Sequence, residues 1–227
     1  MSIEKNLQQI NLQIERAAKE SGRLRQDITL LAVSKMISAE KIREAYTAGV
    51  RHFAENYVQD YLIKKEKLTD LKLDWQFIGQ LQSNKIKKIV NCFSLIHSVD
   101  RLKILKEISL RTKTSQNILI EVNIAGEKSK SGCNSEELPK LLEQMQKIEN
   151  IKLCGLMFMP PLDLKPSAQE RYYASARNLR DESAREVSSP HSLIELSMGT
   201  SHDFTVAIRA GATLIRLGTI LFGERKK

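Results

Sequence analysis

A chain of 227 residues, 41% hydrophobic and 28% charged, is long enough for one sizeable core and does not have the composition of a disordered chain. Cys92, Cys133 and Cys154 sit in no Cys-x-x-Cys or Cys/His spacing, which argues against a disulfide framework and structural zinc and for a reducing compartment, the cytoplasm by default. The net charge of +9 raises nucleic acid as a partner, but the basic residues are spread and aromatics are only 5%, so a solvated basic surface is preferred; no apolar run is long enough to span a bilayer.

Ile3, Leu7, Ile10, Ile14 and Ala17 fall at helical spacing and Gly22 ends the run, giving an amphipathic N-terminal helix. An alternation then begins. The first strand is expected over 29–33, followed by a helix that Ser38 caps and Gly49 ends. The second strand is expected over 50–54 with a helix through the 60s, and the third over 75–79 with a basic helix opening at Asn84. The fourth, over 94–99, precedes a helix capped by Asp100, and the fifth, over 117–123, precedes one capped by Ser135. The sixth, over 151–159, leads through Pro160-Pro161 into a long helix. The seventh, over 193–196, precedes a helix over 202–210, and the eighth, over 213–216, precedes a short apolar element at 220–222. Eight short apolar strands alternating with helices call for a parallel sheet closed into a (β/α)8 TIM barrel, an α/β fold with one extra N-terminal helix. No Pro/Gly/Ser-rich linker divides the chain, so residues 1–227 read as one domain.

Such barrels gather function at the C-terminal ends of their strands, and a phosphate site is often built by the last two loops. After the seventh strand come Ser197, Met198, Gly199, Thr200 and Ser201, a small, hydroxyl-rich turn leading into a helix. After the eighth come Arg216, Leu217, Gly218 and Thr219, where glycine lets backbone N–H groups approach an anion. Lys35 lies just past the first strand, and closure brings that strand beside the eighth. A primary amine next to a phosphate cradle suits a phosphorylated aldehyde or ketone held as a Schiff base, a description covering both pyridoxal 5′-phosphate (PLP) and aldolase substrates. His97 reads as a hydrogen-bonded wall residue and His52 as structural. No Ser/His/Asp arrangement and no metal-ligand spacing is present.

The strand-end segments Ala32-Val33-Ser34-Lys35, Ala54-Glu55-Asn56-Tyr57-Val58-Gln59-Asp60, Phe77-Ile78-Gly79-Gln80-Leu81-Gln82-Ser83-Asn84-Lys85, His97-Ser98-Val99-Asp100 and Leu196-Ser197-Met198-Gly199-Thr200-Ser201 resemble the PLP homeostasis protein family, whose fold is related to the N-terminal domain of alanine racemase. So do Glu127-x-x-Lys130-x-Gly132 and the run from Arg216 to Arg225, and the likeness covers nearly the whole chain. It implies a fold type III PLP-binding barrel and a part in intracellular vitamin B6 homeostasis. It implies that Lys35 holds PLP as a Schiff base and that Ser201, Gly218 and Thr219 bind its phosphate. The turn of Ser197, Met198, Gly199 and Thr200 would shape the pocket, Arg216 would face the pyridine nitrogen, and Asn56 would lie near the ring. Lys130 would be a secondary basic residue near the mouth. Ala54, Gln76 and Thr200 stand where glycine, histidine and methionine are common in the family.

An arginine at the pyridine nitrogen keeps that nitrogen unprotonated and weakens the ring as an electron sink. The related racemases add a C-terminal β-domain that supplies a second acid/base, and no sequence for it follows the eighth strand. The expectation is therefore a cytoplasmic, monomeric carrier of PLP, not an enzyme, with no catalytic residue, no metal and no nucleic acid, handing its cofactor to PLP-dependent apo-enzymes. The alternatives are a weak amino-acid racemase with Lys35 as its only base, a class I aldolase-type enzyme, and a basic nucleic-acid-binding module.

Overall fold

The computed structural model describes residues 2–127, 130–161 and 164–224; the basic tail at 225–227 lies outside the described residues. The strands are β1 (Thr29–Val33), β2 (His52–Glu55), β3 (Asp74–Phe77), β4 (Leu95–Val99), β5 (Gln116–Asn123), β6 (Cys133–Asn134), β7 (Ile151–Phe158), β8 (Glu195–Ser197) and β9 (Leu214–Leu217). The α-helices are α1 (Ile3–Glu20), α2 (Ala39–Thr47), α3 (Val58–Lys67), α4 (Leu102–Arg111), α5 (Leu138–Met145), α6 (Pro166–Ser183), α7 (Phe204–Arg209) and α8 (Thr219–Phe222).

Eight strands pair in parallel in the order β1-β2-β3-β4-β5-β7-β8-β9, and β9 returns to β1 with Leu31 opposite Arg216. The expected (β/α)8 barrel is formed. Strands β1 and β5 stand four places apart in either direction round it, on opposite walls. The ninth strand, β6, is a two-residue addition to β5 that the sequence reading did not contain. Val122 pairs with Cys133, and Gly132, at φ +110°, brings its backbone so close to Asn123 that a Cβ would sit 2.8 Å from the amide nitrogen. Nothing local to Cys133-Asn134 announces this pairing.

Helix α1 starts where the Ser2 hydroxyl accepts from the Lys5 amide, and it buries Ile3, Leu7, Ile10, Ile14 and Ala17 while packing on α7 and α8. Strand bounds move by up to two residues, as where 193–196 becomes Glu195–Ser197. Four helices differ: the one expected from an Asp100 cap starts at Leu102, with Arg101 at its cap position. The basic helix after the third strand is a 3-10 turn over Ser83–Lys88, because only Ile86 within it is buried and the chain must turn back through Asn91, at φ +64°, into β4. The helix expected from Ser135 starts at Leu138, with Pro139 in its first turn, and the helix expected from His202 starts at Phe204.

Alternation along the strands sorts the interior from the helix-facing shell. Ile118, Ile120 and Val122 of β5 join the large core beneath the helices. Leu119 points the other way and meets Leu95, Met157 and Leu214 in a small cluster inside the barrel. Above that plug, the same inward parity selects Gln76, His97, Glu121, Ser197 and Arg216. The upper half of the barrel is therefore polar, and it opens toward the loops at the strand C-termini.

Candidate functional site

A cavity of about 420 Å³ occupies this mouth, a size ordinary for a small-molecule site. Lys35, Asn56, Thr200, Ser201, Arg216, Gly218 and Thr219 line it together. Ser197, Met198 and Gly199 do not. Met198 is fully buried core, Gly199 gives its carbonyl to the Arg216 amide at 3.0 Å, and Ser197 lies beneath the floor. Ser197 faces inward beneath the cavity, Met198 faces the helix-side core, and Gly199 packs on Phe204 and Ala207, so none of the three lines it.

The last two loops meet at Ser201. Its Oγ accepts from the backbone amides of Gly218 and Ile220 at 3.3 and 3.4 Å, so two N–H groups are aimed at one point. An anionic oxygen there accepts from such a pair more strongly than a hydroxyl does. Asp203 braces the other side: its carboxylate accepts from the Thr200 amide at 2.6 Å and from the Thr200 hydroxyl at 3.0 Å, and Tyr173 donates to it at 2.7 Å. Lys35 is half-buried, with Nζ 5.7 Å from the Tyr57 ring centre.

The backbone beside Lys35 is held by a buried ion pair. Lys64 Nζ donates to Glu55 Oε1 at 2.5 Å and to the Ser34 carbonyl at 2.7 Å, while the Ser34 hydroxyl donates to the same carboxylate oxygen at 2.7 Å. Burial pushes the Glu55 carboxyl upward against the pull of Lys64. Asn56, next in the chain, has its side-chain oxygen buried and without a partner in the cavity wall. Gly79 packs so tightly on the Asn56 carbonyl that a Cβ would stand 1.9 Å from its oxygen.

A polar chain crosses the barrel beneath the cavity. His52 Nδ1 and Gln76 Nε2 meet Asp74 at 2.7 and 2.8 Å, Gln76 Oε1 meets His97 Nε2 at 2.8 Å, His97 Nδ1 meets Ser197 Oγ at 3.0 Å, and Arg216 Nη1 reaches Ser197 Oγ at 2.7 Å. Its polarity follows from donors and acceptors. Gln76 gives an N–H to Asp74, so its carbonyl oxygen accepts, and Nε2 of His97 must carry the proton. Nδ1 then accepts from Ser197, whose oxygen accepts from Arg216. Burial, with the Arg216 charge behind it, pushes the His97 imidazolium down to about 3, so the ring is neutral. His97 is thus the hydrogen-bonded wall residue expected of it, and His52 pairs with Asp74.

This neutrality sets a pH dependence. His97 binds no proton in the fold at neutral pH, but in the unfolded chain it titrates near its ordinary 6.5. Its contribution is present above pH 6.5 and is lost as pH falls from there toward 3, by a few kcal/mol at about 1.4 kcal/mol per pKa unit. Urea unfolding of wild type and His97→Gln at stepped pH checks this: the variant should lose stability less steeply across that window. Equal slopes would assign the effect elsewhere.

Arg216 is buried, and its other contacts are the Phe158 carbonyl at 2.8 Å and the Met159 sulfur at 2.8 Å. Burial lowers its pKa from the ordinary arginine value. Among the described residues no carboxylate makes an ion pair with it, so with Lys35 it makes the cavity suited to an anion. Sequence reasoning missed Glu121, which lines the opposite wall. Burial, reinforced by Asp100 and opposed by Arg216, raises its carboxyl to about 7. The available signal was an acid interrupting the run Ile118-Leu119-Ile120-Glu121-Val122. Lys130 stands aside from the lining, donating to the Pro160 carbonyl with Glu127 3.6 Å away.

An anion-suited mouth with a lysine at the end of the first strand and a donor cradle at the last two is one arrangement of a known class. The sequence matches the family described as alanine racemase, N-terminal domain, over residues 6–226. The alanine racemase of Corynebacterium glutamicum, 13% identical with a TM-score of 0.72, shares the fold across 98% of this chain and 61% of its own. Higher similarity is found elsewhere. The pyridoxal phosphate homeostasis protein of Aquifex aeolicus is 45% identical over 218 residues, 94% of each chain. PipY of Synechococcus elongatus PCC7942, whose structure was determined with PLP bound, is 37% identical with a TM-score of 0.83, over 93% of this chain and 100% of that one. The chain belongs to the alanine racemase N-terminal domain family and, within it, to the pyridoxal phosphate homeostasis proteins. Among the described residues no helix is long and apolar enough to cross a membrane, and no group of metal-ligating side chains is present.

Proposed function

We propose that this protein holds PLP covalently on Lys35 and acts in PLP homeostasis as a carrier that keeps the cofactor bound yet transferable to PLP-dependent apo-enzymes. The observation that carries this reading is the meeting of Lys35, the amide pair at Ser201 and buried Arg216 in one cavity. When bound, the cofactor supplies an aldehyde that condenses reversibly with a primary amine. The residues present fit it. Ser201, Gly218 and Thr219 would hold the phosphate and Lys35 the aldehyde carbon, and Asn56 brings an unpaired acceptor to the same wall.

Arg216 favours carrying over catalysis. Its guanidinium has only donors, so a ring nitrogen that meets it must accept and stay unprotonated, which weakens electron withdrawal from the reacting carbon. The relative named above as a homeostasis protein accords with that reading. The test is an absorption spectrum of the purified protein with PLP, followed by borohydride reduction and peptide mapping. A visible band that reduction removes, with one added pyridoxyl group on the peptide holding Lys35, is expected. A label on another lysine overturns the anchor, and clear L-to-D conversion of amino acids by chiral chromatography overturns the carrier assignment.

A further inference from the structure

Across the cavity from Lys35 stands a group that the proposed anchoring does not use. Glu121 leaves β5, four strands from β1 in either direction, and lines the same cavity. It is only 8% exposed, and among the described residues its carboxyl makes no hydrogen bond to the protein. A carboxyl with no protein donor that opens into a cavity leaves its acceptors to whatever enters, and a cation with N–H groups is the complement its chemistry selects. Asp100 adds a second negative field nearby, and Arg216 the opposing positive one. Met157 and Met159 line the cavity beside it, an apolar wall suited to a methylene stem.

We infer that Glu121 receives the ammonium group of an incoming primary amine, the exchange partner that displaces Lys35 when the cofactor leaves. The inference rests on the carrier reading above, and it names the ligand class that reading requires: an alkyl ammonium ion, free or on a lysine side chain. In water such an amine is protonated and not nucleophilic. The Glu121 carboxylate takes that proton, freeing the nitrogen lone pair. With the cofactor bound, a carbon–nitrogen double bond would form to the incoming nitrogen as the one to Lys35 breaks; the two hydrogens left on the incoming nitrogen would pass to Lys35, and the proton Glu121 had taken would complete the departing Lys35 ammonium. One ammonium enters, one ammonium remains, and no oxidant or reductant is needed. A carboxyl that titrates near neutrality suits this, since it can both accept the proton and return it.

The experiment uses the full chain loaded with PLP and follows loss of the visible band after adding methylamine or, separately, hydroxylamine, which is largely uncharged at neutral pH and brings no ammonium to dock. The readout is the ratio of the two rates. In Glu121→Gln the methylamine-to-hydroxylamine ratio should fall about a hundredfold relative to wild type, the lower end of general acid–base effects. Glu121→Asp, which keeps the carboxylate, should recover part of it. An unchanged ratio in Glu121→Gln overturns the inference, including the case in which both rates slow alike. If Glu121→Gln does not load, Glu121→Asp carries the comparison and its ratio must fall; if neither loads, Glu121 belongs to cofactor binding and the inference is wrong. Absence of a visible band in wild type would instead remove the carrier reading.

Discussion

Alanine at position 35 should abolish the visible band and leave no pyridoxyl group attached after borohydride, because the primary amine is the one atom that makes the link covalent. The amide pair proposed to hold the phosphate does not involve Lys35: the Gly218 and Ile220 amides converge on the Ser201 hydroxyl. Weak, reversible binding of PLP should therefore survive in Lys35→Ala, detectable by equilibrium dialysis and competed by inorganic phosphate. The fold should hardly notice. Lys35 is half-buried and its recorded contact is the Tyr57 ring at 5.7 Å, so unfolding of the unloaded protein should shift by no more than about 1 kcal/mol. Complete labelling at another residue in this variant would show that the anchor lies elsewhere.

A second substitution should act through stability. Lys64 is 7% exposed, and its ammonium satisfies both the Glu55 carboxylate and the Ser34 carbonyl. Lys64→Met strands the carboxylate, one of whose oxygens already has no partner, and should destabilise the protein by about 3–5 kcal/mol at neutral pH. Glu55→Gln added to it removes the stranded charge and should restore part of that loss, on the order of 2 kcal/mol. The sign with pH is fixed by the direction of the Glu55 shift. Burial raises its folded pKa, so the penalty is felt at high pH and shrinks as pH falls and the carboxyl is protonated. Urea unfolding of the single and double variants measures all three quantities. A loss below about 1 kcal/mol in Lys64→Met would mean that the pair contributes no more than an exposed one.

The two sites are linked. Lys64 and Glu55 fix the Ser34 carbonyl, one residue before Lys35, and Glu55 immediately precedes Asn56 in the cavity wall. The ion pair lies outside the cavity lining yet sets the backbone from which two of its residues project. Conformational specificity is a recognised reason to retain such a pair when an apolar replacement could be as stable.

The amino-acid sequence by itself determined the order of the eight barrel strands, the closed barrel, and the placement of Lys35, Ser201 and Gly218, which line the cavity, after the first, seventh and eighth strands. Those signals are local: short β-rich runs, helix caps, and a lysine or Gly/Ser-rich turn placed directly after a strand. Closure then puts β1 beside β9 without further information, and with it Lys35 beside Gly218. What only the tertiary structure decided is which way residues face. Barrel strands are buried on both sides, so the run around Glu121 has no polar face to reveal its parity, and neither Met198 as core nor Ser197 beneath the floor is distinguishable from the lining residues Thr200 and Ser201. Lys64 looks like a surface lysine in an amphipathic helix until Glu55 is found beneath it. The hydrogen-bonded chain from Asp74 to Arg216 links Asp74 and Gln76 on β3 to His97 on β4, Ser197 on β8 and Arg216 on β9, and β6 depends on Gly132 approaching another strand's backbone. Contacts of this kind exist only once the strands are in register, because each partner is supplied by a separate element.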